Sequence, residues 1–216
     1  QGGIITCTVT EVPLIATSNV GGVTFQWTGP CVSGGPQFMA SCPGDYTVVV
    51  TNSVNGCTNS ATTIVTENTT PPSVNLSPLP TLTCVMPCAD FVVPSIPGIQ
   101  LFLAGQLLPP GFPIMICQPG VITIQAVSVA NGCSTDVDVQ INQDITPPDA
   151  DAGPDAILSC GTPTVQLSGN SSTNGATFLW TGPGGFSSSE QNPSVSLPGV
   201  YLLTVTNPAN GCTTSD

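Results

Sequence analysis

The sequence contains no lysine, no arginine and no histidine. Its charged side chains are twelve Asp and Glu residues, which give a formal net charge of −12. Several functions go with the missing cations. No side-chain salt bridge can form. Nucleic acid is excluded as a partner, because neutralising phosphates takes Lys or Arg. Attraction to an anionic membrane surface fails for the same reason. A Ser or Cys nucleophile would lack its usual His or Lys base, and catalytic zinc its usual His ligands. The chain is therefore expected not to be an enzyme. Lys–Asn isopeptide hardening is equally closed to it, and no trypsin site exists. Paired carboxylates suffice for a glycosidase in principle, but none recurs at one place across the internal repeats described below.

Aromatic residues make up 5% of the chain and charged residues 6%. Long uninterrupted apolar runs are also missing. The stretch Phe91 to Cys133 carries no charge, but Pro94, Pro97, Pro109, Pro110, Pro113 and Pro119 interrupt it. A spanning helix needs about 20 continuous apolar residues, so no direct membrane insertion is expected. Gln1 opens the sequence without a basic segment of the signal-peptide kind. A processed chain, or an internal window of a larger one, is the expectation.

What is present is apolar content and cysteine. Hydrophobic residues make up 40% of the 216 residues and the mean hydropathy is +0.32, so the chain can bury a core despite its charge. Ten cysteines accompany 23 Gly and 23 Pro. This composition points to a secreted, oxidised protein.

Internal repetition decides the architecture. The string Asn-Gly-Cys places its Cys at 57, 133 and 212, and a second Cys stands at 7, 84 and 160. Pro-Gly pairs place Gly at 44, 120 and 199, and Thr-Pro-Pro occurs at 70–72 and 146–148. All four markers share a period of about 77 residues. The boundaries read 1–70, 71–146 and 147–216, with the first repeat short at its start and the third short of its last strand.

Within a repeat the pattern is strand after strand. A short strand ends in the first Cys (156–160), and another covers 164–169. A third carries Trp at 24–30 and 177–183. A long alternating strand follows the Pro-Gly pair at 46–52, 121–129 and 201–207, and a last one covers 59–67. These β-branched runs separated by turn residues predict an all-β chain of tandem immunoglobulin-like sandwiches with almost no helix. Asn-Gly suits a hairpin and Pro-Gly a type II turn. Each domain should extend about 30 Å along its long strands.

So small a domain is marginal alone, which gives the cysteines a purpose. Matched positions suggest that each repeat closes on itself through Cys7–Cys57, Cys84–Cys133 and Cys160–Cys212. Such a bridge is worth about 4 kcal/mol in the chain-entropy model. The other four then pair as Cys31–Cys42 and Cys88–Cys117. Four cysteines per repeat allow three connectivities; the third repeat, with only two, singles out the shared pair.

The strings TVVVTNSVNGCTNSATTIVTE, YLLTVTNPANGCTTS and FLWTGPGGFSSSEQNP resemble repeats of giant secreted surface proteins of the Bacteroidetes. These include SprB-type gliding adhesins and other cargo of the type IX secretion system, with modules like immunoglobulin and polycystic-kidney-disease domains. The resemblance covers essentially the whole chain. It implies export to the cell surface and a structural part in a stalk or filament, with an adhesive glycan- or substratum-binding module as the alternative. The implied partners are further repeats of the same polypeptide, copies of the chain in filaments or bundles, or a glycan. The second repeat departs from the pattern: twenty residues after the first Cys, Trp27 and Trp180 are matched by Ala104, and Phe102 is a candidate replacement in the core.

Individual residues carry less. Trp27 and Trp180 read as core tryptophans rather than glycan platforms, and Tyr46 and Tyr201 as corner tyrosines bonded to backbone. The loop 182–193 is the candidate contact for a ligand. Asp144, Asp149, Asp151 and Asp155 offer oxygens to a Ca²⁺ ion at the junction of the second and third repeats, as an alternative to a solvated acidic linker. The first junction, 71–78, has no carboxylate. Asp136 and Asp138 share one face of a strand.

Overall fold

The computed structural model describes residues 2–216; the reading made of Gln1 lies outside them. The first repeat contains β1 (Ile4–Thr6), β2 (Val12–Ile15), β3 (Val23–Thr28), β4 (Gln37–Ala40), β5 (Gly44–Asn52) and β6 (Thr58–Asn68). The second contains β7 (Leu82–Thr83), β8 (Ala89–Val92), β9 (Ile99–Leu103), β10 (Gln106–Leu108), β11 (Pro113–Ile116), β12 (Gly120–Ser128), β13 (Ser134–Ile141) and β14 (Gln143–Asp144). The third contains β15 (Val165–Gln166), β16 (Thr177–Gly182), β17 (Phe186–Ser188), β18 (Ser194–Val195), β19 (Leu202–Thr206) and β20 (Thr213–Ser215). Among the described residues the one helical element is a single 3₁₀ turn, Pro183–Gly185.

The chain gathers into two compact units. One comprises the residues up to Leu76 with Val93–Phe112 and Thr123–Asp138; the other comprises Ser77–Val92, Pro113–Ile122 and Val139–Asp216. The middle repeat contributes segments to both. The sequence boundaries at 70 and 146 thus mark the period of the repeat.

In the first unit, β3, β5, β6 and β1 form one sheet and β2 pairs with β4. Alternation along β5 turns Tyr46 and Val48 inward. They meet Leu14, Phe38 and Trp27 in a core closed by Ile5 and Val65. Trp27 lies edge-on to Phe38, with centroids 5.4 Å apart. Segments of the middle repeat add β9, paired with β10 and with Ile124–Ser128 of β12.

In the second unit, β17, β16, β19 and β20 form a sheet and β15 pairs with β18. Trp180, Leu203 and Val205 are fully buried there, and Ala150, Ala152 and Leu167 pack against them. A smaller cluster of Leu82, Ala89 and Ile141 gathers segments of the middle repeat.

The fold class is the expected one: all-β, immunoglobulin-like and disulfide-stapled. Both tryptophans are core residues. The Tyr46 hydroxyl donates to the Cys42 carbonyl at 2.7 Å, and the Tyr201 hydroxyl to the Leu197 carbonyl at 2.8 Å. This corner bond recurs in immunoglobulin-like sandwiches.

Several local expectations need correction. The segment 156–160 forms no strand, and Ile157 is 84% exposed. The Pro-Gly glycines do not centre type II turns. Gly44, Gly120 and Gly199 have φ of 139°, 138° and 147°; the first two open β5 and β12, and Gly199 lies three residues before β19. At Gly44 and Gly199 a Cβ would meet Pro30 Cγ at 2.6 Å and Pro183 Cγ at 2.4 Å, so only glycine lets that proline close over the strand. In the second repeat the strand register assigns the tryptophan's position to Leu103, paired with Ile124 as Trp27 is with Val48. Ala104 belongs instead to the β9–β10 turn, at φ 49°. Phe102 points to the opposite face from Leu101 and Leu103, as strand alternation requires, so it is no substitute for the indole.

Candidate functional site

The chemistry of the chain is concentrated in its cysteines, and their pairing differs from the expected one. Cys7 is bonded to Cys133 and Cys84 to Cys212, with Cα–Cα distances of 5.0 and 5.1 Å. Cys31–Cys42 and Cys88–Cys117 pair as expected. Cys57 and Cys160 are free and exposed. Each shared cystine therefore joins the first Cys of one repeat to the Asn-Gly-Cys of the next.

The reason lies in one strand pairing. β1 runs parallel to β6, with Ile4 opposite Thr66 and Thr6 opposite Asn68. Cys7 thus leaves at the C-terminal end of β6, where its Sγ lies 3.8 Å from the Thr69 carbonyl. Cys57 precedes the N-terminal end of the same strand, which is 11 residues long. At about 3.3 Å per residue the two are roughly 40 Å apart, far beyond the ~7 Å Cα separation a disulfide can span. β7 pairs with β14 in the same parallel sense. A repeat built this way cannot close its first Cys onto its own Asn-Gly-Cys.

Each joint has two halves, and each half is a short polar loop. The receiving half is the Asn-Gly-Cys loop. In all three repeats the Asn side-chain oxygen accepts the Cys N–H two residues on, at 3.0 Å in Asn55 and Asn131 and 2.9 Å in Asn210. The glycine sits at φ 72°, 69° and 70° in the left-handed region, and its N–H donates to the carbonyl of Asn52, Ser128 or Asn207, each at 2.8 Å. The inserting half is a tight turn around the first Cys. Thr6, Thr83 and Ser159 donate their N–H to the carbonyls of Val9, Met86 and Thr162 at 2.8, 2.8 and 3.0 Å. Their hydroxyls accept the N–H of the same three residues at 3.0, 3.1 and 3.1 Å.

Where the halves meet, the same contacts appear twice. The Cys7 N–H donates to the Asn131 carbonyl at 3.2 Å, and the Cys84 N–H to the Asn210 carbonyl at 3.1 Å. The Asn131 side-chain N–H₂ donates to Asn68 Oδ1 and the Thr70 carbonyl; that of Asn210 donates to Asp144 Oδ1 and the Thr146 carbonyl. Asn131, Cys133, Asn210 and Cys212 are buried, whereas Asn55 and Cys57 are exposed.

The four junction carboxylates are placed separately. Among the described residues no three of Asp, Glu, Cys or His gather as a metal site. Asp144 belongs to the joint, and the Thr146 N–H and then the Asn210 amide hold its carboxyl below the usual range. Asp149 caps the loop 171–173, accepting from the Ser172 N–H at 3.0 and 2.9 Å and from the hydroxyls of Ser171, Ser172 and Thr173. The Ser172 N–H is the largest cause of its strongly lowered pKa; partial desolvation opposes it. Asp151 pairs with Asn170 across an isolated bridge and accepts the Gly153 N–H at 2.9 Å. Asp155 is exposed. In the loop 182–193, Phe186 packs edge-on against Tyr201 at 5.4 Å. Asp138 accepts the Thr123 hydroxyl at 2.8 Å.

A feature the sequence did not signal lies beside Trp27. An open groove of about 630 Å³ is lined by Ile15, Trp27, Val48, Val50, Cys57 and Ala61, among others. The Trp27 indole N–H is buried without a partner, while that of Trp180 donates to the Gln191 carbonyl at 3.1 Å. Gly169 allows this: a Cβ there would lie 3.2 Å from Trp180 Cζ2. Ala16 occupies the matching position, bonded to Pro36 as Gly169 is to Gln191. Among the described residues no helix is long and apolar enough to cross a membrane.

No family model matches the chain, and no curated protein matches it. Solved structures similar to it include Drosophila N-cadherin EC1-4, at 12% identity and TM-score 0.31, covering 100% of this chain and 71% of that one. Drosophila OTK extracellular domains 3-5 match at 10% identity and TM-score 0.27, covering 100% and 92%. The N-terminal four Ig domains of Dscam1 isoform 9.44 match at 13% identity and TM-score 0.25, covering 79% and 53%.

Proposed function

We propose that the chain is a non-catalytic segment of an extracellular strut or filament, part of a large bacterial surface adhesin of the kind its repeats resemble. The observation that carries this reading is the staggered pairing of Cys7 with Cys133 and Cys84 with Cys212, spanning 126 and 128 residues. The two loops overlap, so the ends of the array are joined by two covalent routes. One runs from Cys7 along the backbone to Cys84 and across to Cys212. The other crosses at once to Cys133 and follows the backbone to Cys212. The Cys31–Cys42 bridge shortens the first route by 11 residues, to about 66 against 79 at most ~3.6 Å each, so the first comes taut under a pulling force and the second stands behind it. Bridging neighbours leaves the array doubly connected, which suits a protein that must hold under load. Cystines also imply an oxidising compartment.

Pulling single molecules from their ends tests the reading. The oxidised chain should stop extending at about 300 Å, and the reduced chain at about 700 Å. Equal limits would remove the mechanical argument. On cells, antibodies to the chain should label surface filaments in negative stain.

The groove beside Trp27 favours a second reading, an adhesive module that takes a glycan or substratum group there. Glycan-array binding abolished by Ala61→Trp in a folded protein would favour this over the strut.

A further inference from the structure

Cys57 and Cys160 are not two unrelated thiols: each is one half of a joint that the chain completes twice elsewhere. Cys57 ends a loop with the hydrogen bonds and the left-handed glycine of the loops ending in Cys133 and Cys212. Cys160 sits in a turn with the hydrogen bonds of those holding Cys7 and Cys84. In the completed joints the residue after the inserting Cys covers the loop glycine: a Cβ on Gly132 would meet Thr8 at 2.3 Å, and one on Gly211 would meet Val85 at 2.3 Å. A Cβ on Gly56 would meet nothing within 4 Å. The loop at Cys57 is therefore shaped to receive a turn and is uncovered. Behind it lies the groove that Cys57 and Trp27 help to line.

We propose that Cys57 and Cys160 are the open halves of further joints of this kind, each completed by the complementary half of another repeat. A second copy of this chain supplies that half through a Cys160–Cys57 disulfide, the turn Ser159–Thr162 of one copy seating on the loop Asn52–Cys57 of the next. The Cys160 N–H then donates to the Asn55 carbonyl, as Cys7 and Cys84 do to Asn131 and Asn210. Neither half contains a charged residue, so the like charge of the copies is kept off the contact. The two halves differ, which makes the contact heterologous and open-ended; Cys57–Cys57 and Cys160–Cys160 contacts have no counterpart in the chain. The inference takes its setting from the strut reading.

The bond forms by exchange with a low-molecular-weight disulfide such as oxidised glutathione. The Cys160 thiolate attacks one glutathione sulfur, forms a mixed disulfide and releases one glutathione thiolate. The Cys57 thiolate of the second copy attacks the Cys160 sulfur, closes the Cys160–Cys57 bond and releases the second thiolate. Two protein thiols are oxidised, one glutathione disulfide is reduced, and the two protons end on the released thiols.

The test is a crossed mixture. Cys57→Ser and Cys160→Ser each replace an exposed, unpaired thiol and leave every cystine in place. With oxidised glutathione, the wild-type chain should give a ladder of oligomers on a non-reducing gel. Each variant alone should stay monomeric. Their mixture should stop at a dimer, at least tenfold more abundant than in either single sample, carrying a Cys160–Cys57 peptide in a chymotryptic map. Dimers of a single variant at similar yield, or no dimer in the mixture, would overturn the proposal. The strut reading is judged separately on the Cys160→Ser monomer, whose reduction-dependent extension does not involve this bond.

Discussion

Gly132 lies directly against Thr8: a methyl group at 132 would come within 2.3 Å of Thr8 Cγ2. The glycine serves two purposes in the completed joint, its left-handed φ and its missing side chain. Gly132→Ala should therefore cost more than the roughly 1–2 kcal/mol of a left-handed alanine, because Thr8 and with it the Cys7 turn must shift. Gly56→Ala meets no neighbour and should cost the left-handed term alone. Urea unfolding of the two variants checks the difference; equal losses would show that the seat is not tight.

The overlapping loops make the chain tolerant of a single break. Trypsin cannot cut it, having no Lys or Arg to recognise. Ser73→Arg, in the exposed linker, creates one site. After digestion the protein should run as a single species without reductant and as two fragments with it, since Cys7–Cys133 still ties residues 1–73 to the rest. Repeats closed on themselves would separate without reduction.

Acid should act on the Asp149 cap. Its folded pKa is lowered far below the usual carboxylate value of about 3.9. A lowered folded pKa gives stability that is complete above the unfolded value and is lost as pH falls below it, because the unfolded chain takes up the proton first. Asp149→Asn should lower stability at pH 7 and flatten its fall between pH 4 and 2. Denaturant titrations at pH 7, 4 and 2 measure both; an unchanged acid slope contradicts the assignment.

The buried asparagines should matter where the joint is closed and not where it is open. Asn210→Ala removes donors to Asp144 and the Thr146 carbonyl and should cost about 1–3 kcal/mol. Asn55→Ala, in an exposed loop, should cost less than about 1 kcal/mol. Chemical denaturation of the two variants reads the contrast.

Much of this was legible in the residues. β-branched alternation gave the long strands, Trp27 and Trp180 gave the core, and the Asn-Gly pairs gave the hairpins, because these features depend on contacts close in sequence or on burial alone. The connectivity was not legible. Cysteines repeating at about 77 residues fit bridges within a repeat and bridges to the next equally well. What separates the two is the parallel pairing of Ile4–Thr6 with Thr66–Asn68, a three-residue contact with no sequence signature. The surroundings of the junction carboxylates were illegible for a related reason: Asp149 is engaged by Ser171–Thr173, more than twenty residues on. Ala104 misled because counting from a cysteine ignores the turn that its own left-handed φ marks.

Each repeat is bound to its successor. Peptide mapping without reduction, with a non-tryptic protease and alkylation of free thiols, tests it most directly. Cys7–Cys133 and Cys84–Cys212 peptides should appear, with Cys57 and Cys160 alkylated in the monomer. Recovery of Cys7–Cys57 and Cys84–Cys133 peptides instead would contradict it.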